Sequence, residues 1–439
     1  MKNNKYLSRR DFFKVASIGV AVPMLVPREV FADTATNRPG ANDRIGIAGI
    51  GVGRQGSSVF NDAAKDRRTN VVSICDVHKK RAESIAAKYK LSPDNAHQDY
   101  RKIIDNKNVD AIITATPEHW RSIICINAAL AGKHLYVEKP ITLTVEDGVL
   151  IRKAAAKTNI IFQCGSMQRS MLQNYLGCKL IREGHLGKIT KVIALNYESP
   201  WLNNLPEEAT PEGLDWNQWC GPTEPVPFNK ELFIPRGAPG WLSFRNYSGG
   251  EMTGWGTHGF DQIQCALGLD DTGPVEILVE GDKLEPPTYN KPDKQDYGNK
   301  ICSSPKLAYR YENGITVELG KANRGGAIFI GEKGKLEIFR GRLASNPKEI
   351  LEDWLAQNAD VKLPGHMTDW IDCIYSGKQT IGHLETGIRT AEICHILNIA
   401  RYLGRNLKWD PTKEEFKDDA EANTWLKREH RKGFEQPTV

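Results

Sequence analysis

This sequence lacks most of the features that would mark it as something other than a soluble globular chain. No internal repeat, heptad array or low-complexity tract runs through its 439 residues, which excludes solenoids, coiled coils and extended disordered tails. No Cys-x-x-Cys or His-x-x-x-His pair occurs, so no zinc site is expected, and no other metal site stands out. The nine cysteines are an odd number, and Cys75, Cys125, Cys164 and Cys265 sit in apolar runs. They read as buried thiols, not as a disulfide framework. The apolar run Val15–Val26 has twelve residues, too few for a bilayer span of about 20.

A large charge excess is also missing once the amino terminus is set aside. The net charge is +5, but residues 1–32 hold six Lys/Arg and two Asp/Glu. The remainder carries about +1, so the alkaline isoelectric point gives no reason to expect nucleic acid as a partner. Those first residues have their own logic. Ser8-Arg9-Arg10-Asp11-Phe12-Phe13-Lys14 precedes the apolar run, and Val30-Phe31-Ala32 offers small residues for cleavage. This is the layout of a twin-arginine export leader over 1–32, and it predicts a periplasmic or otherwise exported protein. Residues 33–42, with Pro39-Gly40, read as a linker.

The next stretch alternates between strands and helices. An apolar strand, Arg44–Gly49, runs into Gly51-Val52-Gly53-Arg54-Gln55-Gly56 and then a helix. A G-x-G-x-x-G between strand and helix lets the chain turn tightly, lets a pyrophosphate approach the backbone, and offers helix N–H groups to it. A second strand, Asn70–Cys75, ends in Asp76, twenty residues after Gly56. A carboxylate there accepts hydrogen bonds from ribose hydroxyls. The acid favours NAD, although His78, Lys79, Lys80 and Arg81 keep NADP open. Strands follow at 109–115, 135–137 and 160–165, with helices at 121–131 and 144–157. The pattern predicts a doubly wound parallel sheet over 43–166.

Ligands of such sheets bind beyond the carboxyl ends of the strands. Two strand ends carry chemistry: Thr116-Pro117-Glu118-His119-Trp120, and Glu138-Lys139-Pro140. Lys139 is a candidate base, and His119 is expected on the cofactor side.

From Gly187 the pattern changes. Strands at 188–197, 275–280, 306–311, 316–319, 327–331 and 334–339, with turns at Asn313-Gly314 and Glu332-Lys333, predict an α+β domain over 167–439 with a mostly antiparallel sheet. The tail reads as helical from Pro364 to Leu403, then as charged loop and short helix.

The motifs together resemble the glucose–fructose oxidoreductase/inositol dehydrogenase (Gfo/Idh/MocA) family. The likeness rests on the glycine fingerprint, Asp76, Thr116–Trp120, Gly132-Lys133-His134 with Glu138-Lys139-Pro140, and Gly249-Gly250-Glu251 running to His258 and Asp261. Trp409-Asp410-Pro411 and Asp419–Asn423 resemble an exported branch of it. The resemblance implies a nucleotide domain followed by an α/β domain whose open sheet forms a homodimer or homotetramer. It places Lys139 near the nicotinamide and His258 across the cleft. Two positions depart from the usual motifs: Gly254 replaces a carboxylate four residues before His258, and Arg121 replaces a histidine. The proton-relay role then falls to His258 alone, or to Glu198 or Glu251. Asp261, one turn on, is expected to orient His258.

The resemblance predicts an NAD-dependent oxidoreductase acting on a sugar, glycoside or cyclitol carbinol. The alternatives are redox-neutral glycoside hydrolysis through transient oxidation, and a non-catalytic dinucleotide-binding protein. An exported enzyme also needs its cofactor already bound. Trp201, Trp216, Trp219, Trp241 and Trp255 crowd into 55 residues. They either offer indole faces to a sugar or pin a long loop, with Trp201 and Trp241 the substrate candidates. Arg169 and Arg245 are candidates for a substrate hydroxyl or carboxylate.

Overall fold

The computed structural model describes residues 43–236, 240–290 and 302–439. The expected leader and linker, 1–42, lie outside the described residues. The first half contains β1 (Ile45–Ile50), α1 (Arg54–Ala64), β2 (Thr69–Cys75), α2 (Lys79–Lys88), β3 (Ala96–His97), β4 (Ala111–Thr114), α3 (Glu118–Leu130), β5 (His134–Val137), α4 (Val145–Ala155) and β6 (Phe162–Cys164). The six strands are parallel, in the order β3-β2-β1-β4-β5-β6. Every residue of β1 is buried, as a strand covered on both faces requires. The strand order reverses between β1 and β4, and that crevice is where ligands of such sheets bind. Helix α3 starts at Glu118, earlier than residue 121, because Pro117 takes the cap position. An acid in the first turn suits the positive end of a helix.

The second half adds α5 (Leu172–Arg182), β7 (Ile189–Leu195), α6 (Gly256–Leu267), β8 (Glu276–Glu280), β9 (Lys306–Arg310), β10 (Thr316–Gly320), β11 (Ala327–Gly331), β12 (Gly334–Phe339), β13 (Arg342–Asn346), α7 (His366–Ser376), α8 (Leu384–Leu403), β14 (Leu407–Asp410) and β15 (Glu415–Phe416). The nine-stranded sheet runs β13-β12-β11-β7-β10-β9-β8-β14-β15. Only β7 and β10 pair in parallel; the other neighbours are antiparallel. Phe260 and Ile263 of α6 join Val192 and Phe329 in the core beneath this sheet, which fixes the helix that carries His258.

Two readings of the tail need correction. The expected helical stretch is two helices, broken at Gly377, which adopts φ 68° as a left-handed cap. Residues 407–410, expected as loop, form β14 against β8. Among the described residues no helix is long and apolar enough to cross a membrane. Eight of the nine cysteines are buried and Cys265 is partly exposed.

Candidate active site

A cavity of about 580 Å³ lies along the carboxyl ends of the parallel strands. Gly51, Asp76, Thr116, Glu138 and Gly165, from the exits of five strand segments, all line it. The glycine loop is shaped for a dinucleotide. Gly51 has φ +75°, and a Cβ on Gly56 would lie 2.0 Å from the Gly51 carbonyl oxygen. Gly53 faces open space, where a Cβ would meet only Arg81 Nη1, at 3.9 Å. The Asp76 carboxylate is buried at the end of β2. It accepts the His78 N–H at 2.9 Å and Arg81 Nη1 at 3.3 Å, and retains lone pairs for ribose hydroxyls. Arg54 and Gln55 line the cavity too, and Gln55 Nε2 donates to Glu138 at 2.9 Å.

The second domain closes over the Asp76 end. Lys79 N–H donates to Gly213 O at 2.9 Å, and Asp215 N–H donates to Val77 O at 3.0 Å. Lys80 pairs with Glu212 at 3.0 Å. The same segment brings Trp219, Phe233 and Arg236 into the wall, with the Arg81 guanidinium over the Phe233 ring at 5.0 Å.

At the other end Lys139 is half-buried, and its Nζ donates to the Gly254 carbonyl at 2.5 Å. Loss of water pushes its pKa down to about 8; Glu138 pulls it back up, while Arg236 and Arg121 lower it further. His258 is buried in the same wall and held well below the ordinary imidazole range, by burial first and then by Lys139, Arg340 and Arg236. It is therefore neutral when Lys139 titrates. Trp241, Trp255 and Arg340 complete this end.

The space a side chain at Gly254 would need is already filled. A Cβ there would lie 2.9 Å from both Arg236 Nη2 and Glu251 Oε2. Those two groups pair at 3.0 and 3.1 Å. Of the two replacement carboxylates considered, Glu251 thus stands beside the position, tied to Arg236. Neither Glu251 nor Glu198 is among the residues lining the cavity.

Arg121 explains its own departure. Its Nε donates to Thr116 O at 2.9 Å and its Nη1 to Pro140 O. One guanidinium therefore ties together the two strand exits that carry Thr116-Pro117 and Lys139. Glu118 joins the domains: its carboxylate accepts from Ser248 Oγ at 2.7 Å, Gly249 N–H at 3.0 Å, and Thr253 Oγ1 at 3.1 and 3.0 Å.

Five expected site residues stand elsewhere. His119 points away from the cavity. Its Nε2 meets Trp219 O at 2.9 Å and its ring packs on Trp219 and Tyr247, and burial drives its pKa down to about 4. Arg169 is not free for substrate, because Asp261 (2.9 Å) and Asp270 (2.6 Å) hold its guanidinium in a buried network. Asp261 is thereby committed to Arg169 and, at 3.3 Å, to Thr390, rather than to His258. Trp201 does not line the cavity; it packs on Tyr289 with centroids 4.9 Å apart, in the apolar cluster that backs Trp219 and Trp241. Arg245 stacks over Tyr402 and Trp425, outside the cleft. Conversely, Trp219 lines the cavity and Trp216 stacks on it at 4.4 Å. Met167, Arg236 and Arg340 carried no motif that would have marked them. Among the described residues no group of three or more His, Cys, Asp or Glu could hold a metal ion.

Comparison with known proteins agrees with this arrangement. Residues 44–166 match the Gfo/Idh/MocA oxidoreductase family, NAD-binding Rossmann fold, and residues 178–436 match that family's C-terminal alpha/beta domain. The chain is 35% identical over 96 residues to a levoglucosan dehydrogenase of Pseudarthrobacter phenanthrenivorans, covering 22% of this chain and 25% of that one. It is 23% identical over 221 residues to a glycosyl hydrolase family 109 protein of Shewanella baltica, covering 45% and 47%. The chain thus spans less than half the length of these curated relatives. An aldose-aldose oxidoreductase structure from Caulobacter crescentus has the same fold, with a TM-score of 0.56 at 17% identity over 83% of this chain and 99% of that one. With both halves of the chain matched, this protein belongs to the Gfo/Idh/MocA oxidoreductase family, an NAD-binding Rossmann domain followed by an alpha/beta domain.

Proposed function

We propose that this chain oxidises a secondary carbinol of a sugar, glycoside or cyclitol, with Lys139 as the proton acceptor. The observation that carries this reading is the Lys139 amine. It is depressed to about 8 and stands in one cavity with the glycine loop, Asp76 and His258. The nicotinamide cofactor, when bound, supplies the hydride acceptor. The glycine loop would hold its phosphates and Asp76 its ribose. Neutral Lys139 takes the hydroxyl proton, and the resulting ammonium is held by the Gly254 carbonyl. Neutral His258 orients the hydroxyl, and Arg236 and Arg340 favour the developing alkoxide electrostatically. The test is reduction of protein-bound dinucleotide, followed at 340 nm across a panel of sugars and cyclitols. Lys139→Met is expected to abolish it; full retention of the burst would sink the assignment.

A second reading is redox-neutral glycoside hydrolysis, in which the same oxidation acidifies a neighbouring C–H. Similarity to the family 109 protein favours considering it. Release of a chromogenic aglycone without added cofactor distinguishes it from net oxidoreduction.

Export, retention of the cofactor and assembly belong to the same proposal. The Arg9-Arg10 leader supports export through the twin-arginine route. The clasp of 212–215 onto Val77–Lys80 supports a cofactor that stays bound after folding. Ile193 and Ile328 are paired across strands, half-buried on the sheet face opposite the core residues Val192 and Phe329. This supports a homo-oligomer formed through the sheet.

A further inference from the structure

A second, smaller cavity of about 180 Å³ lies where the domains meet. Leu143 and Thr144 from the first domain line it, with Arg245, His395, Asn398, Tyr402, Trp425, Lys427 and Arg428 from the second. No carboxylate is among its lining residues. Three cationic side chains therefore line one cavity, Arg245 and Arg428 half-buried and Lys427 exposed. Among the described residues, none of the three makes an ion pair with a carboxylate.

The two guanidiniums are held near each other. Arg428 Nη1 donates to the Arg245 carbonyl at 2.5 Å. Arg245 lies over the Tyr402 ring at 5.0 Å and over the Trp425 ring at 4.7 Å, a rigid platform built from paired aromatics. Burial and the neighbouring Arg245 charge push Arg428 down to about 10. The carboxylates that bear on Arg428, Asp147 and Glu118, are engaged elsewhere. Asp147 accepts from the Leu143 and Thr144 N–H groups at 3.0 and 2.9 Å, and Glu118 is taken by Ser248, Gly249 and Thr253. The Tyr402 hydroxyl is buried without a hydrogen-bond partner. Holding two like charges together at half-buried positions is unfavourable unless an opposite charge joins them.

We propose that this cavity is a second binding site, separate from the catalytic cleft, for a tetrahedral oxyanion: a phosphate or sulfate group, free or borne by a sugar. Arg245, Lys427 and Arg428 supply charge and fork-shaped donors, and the Tyr402 hydroxyl supplies a further donor. The wall is not isolated from the cleft. Asn398 Nδ2 donates to Gly249 O at 2.8 Å, and the Gly249 N–H holds Glu118. An anion here therefore braces the loop that joins the two domains.

The test uses the full chain saturated with NAD, so that the glycine loop is already filled. Calorimetry and tryptophan emission (Trp425 lies against Arg245) are followed with sodium sulfate, inorganic phosphate and glucose 6-phosphate, at constant ionic strength in chloride. Saturable one-site binding is expected, weakened at least 10-fold by Arg428→Gln and by Arg245→Gln. Lys427→Gln, at an exposed position, is expected to weaken it a few-fold without disturbing the fold. Tighter binding of glucose 6-phosphate than of phosphate would identify a sugar-borne group; equal binding would identify the free anion. No saturation with any probe, or equal binding by wild type and Lys427→Gln together with either arginine variant that still melts cooperatively, would overturn the proposal.

Discussion

Replacing Lys139 by methionine removes the amine but keeps most of the side chain's bulk. The amine's pKa falls from 10.5 to about 8 because water is excluded around it. That corresponds to about 3 kcal/mol against the charged form in the folded state. The unfolded chain keeps its proton up to about pH 10.4. The cost is therefore borne in full below pH 8 and relieved as pH rises toward 10.5. Methionine escapes it, but also gives up the hydrogen bond to Gly254 O, worth about 1 kcal/mol. The variant should be about 2 kcal/mol more stable than wild type at pH 7, and slightly less stable above pH 10.5. For a chain of this size that is about 2 °C in melting temperature at neutral pH. The same substitution should eliminate reduction of bound dinucleotide. In wild type, kcat/KM for oxidation should rise with pH to a plateau, with a midpoint near 8. Melting curves from pH 6 to 10.5 and a pH–rate profile are the assays. A variant less stable than wild type at pH 7, or a flat wild-type profile, would refute the idea that this amine carries a desolvation burden for the sake of catalysis.

Arg169→Met should cost 3 to 5 kcal/mol, because Asp261 and Asp270 are left charged and without their partner; chemical denaturation measures it, and an effect confined to KM would restore Arg169 to the substrate. Glu118→Gln should destabilise the chain by about 2 kcal/mol, since an amide nitrogen facing Ser248, Gly249 or Thr253 sets donor against donor; thermal melting checks this. Asp76→Ser removes the charge that repels a 2′-phosphate and leaves Arg81 in place. It should shift the ratio of NADP to NAD affinity at least 10-fold toward NADP, read by equilibrium titration of cofactor-stripped protein.

The nucleotide half was legible because its signals are local. A glycine loop, an acid at a strand end and Glu138-Lys139-Pro140 each act through the backbone segment they sit on, and the parallel sheet aligns those segments automatically. The second half obeyed no such rule. Arg169, Trp201 and Arg245 have the right chemistry for a sugar, but their directions are set by contacts 88 or more residues away, with Asp261, Tyr289 and Tyr402. His119 failed for a related reason. It adjoins the cleft in sequence, but the turn of α3 sends its ring toward Trp219. Gly254 was visible as a loss, but what fills the space beside it was not, because Arg236 and Glu251 meet there only in the folded chain. Strand β14 is short, half polar and next to the edge strand β15, so periodicity had little to read.

The anchoring of Glu118 bears on any attempt to build hybrids within this family. A nucleotide half transplanted onto a foreign partner brings its own acid but not the serine, threonine and glycine amide that receive it. Such a graft would bind coenzyme and yet seat badly, its Lys139 amine misaligned with the His258 imidazole across the seam. The unit to exchange is therefore the acid together with its three receivers, treated as one cassette.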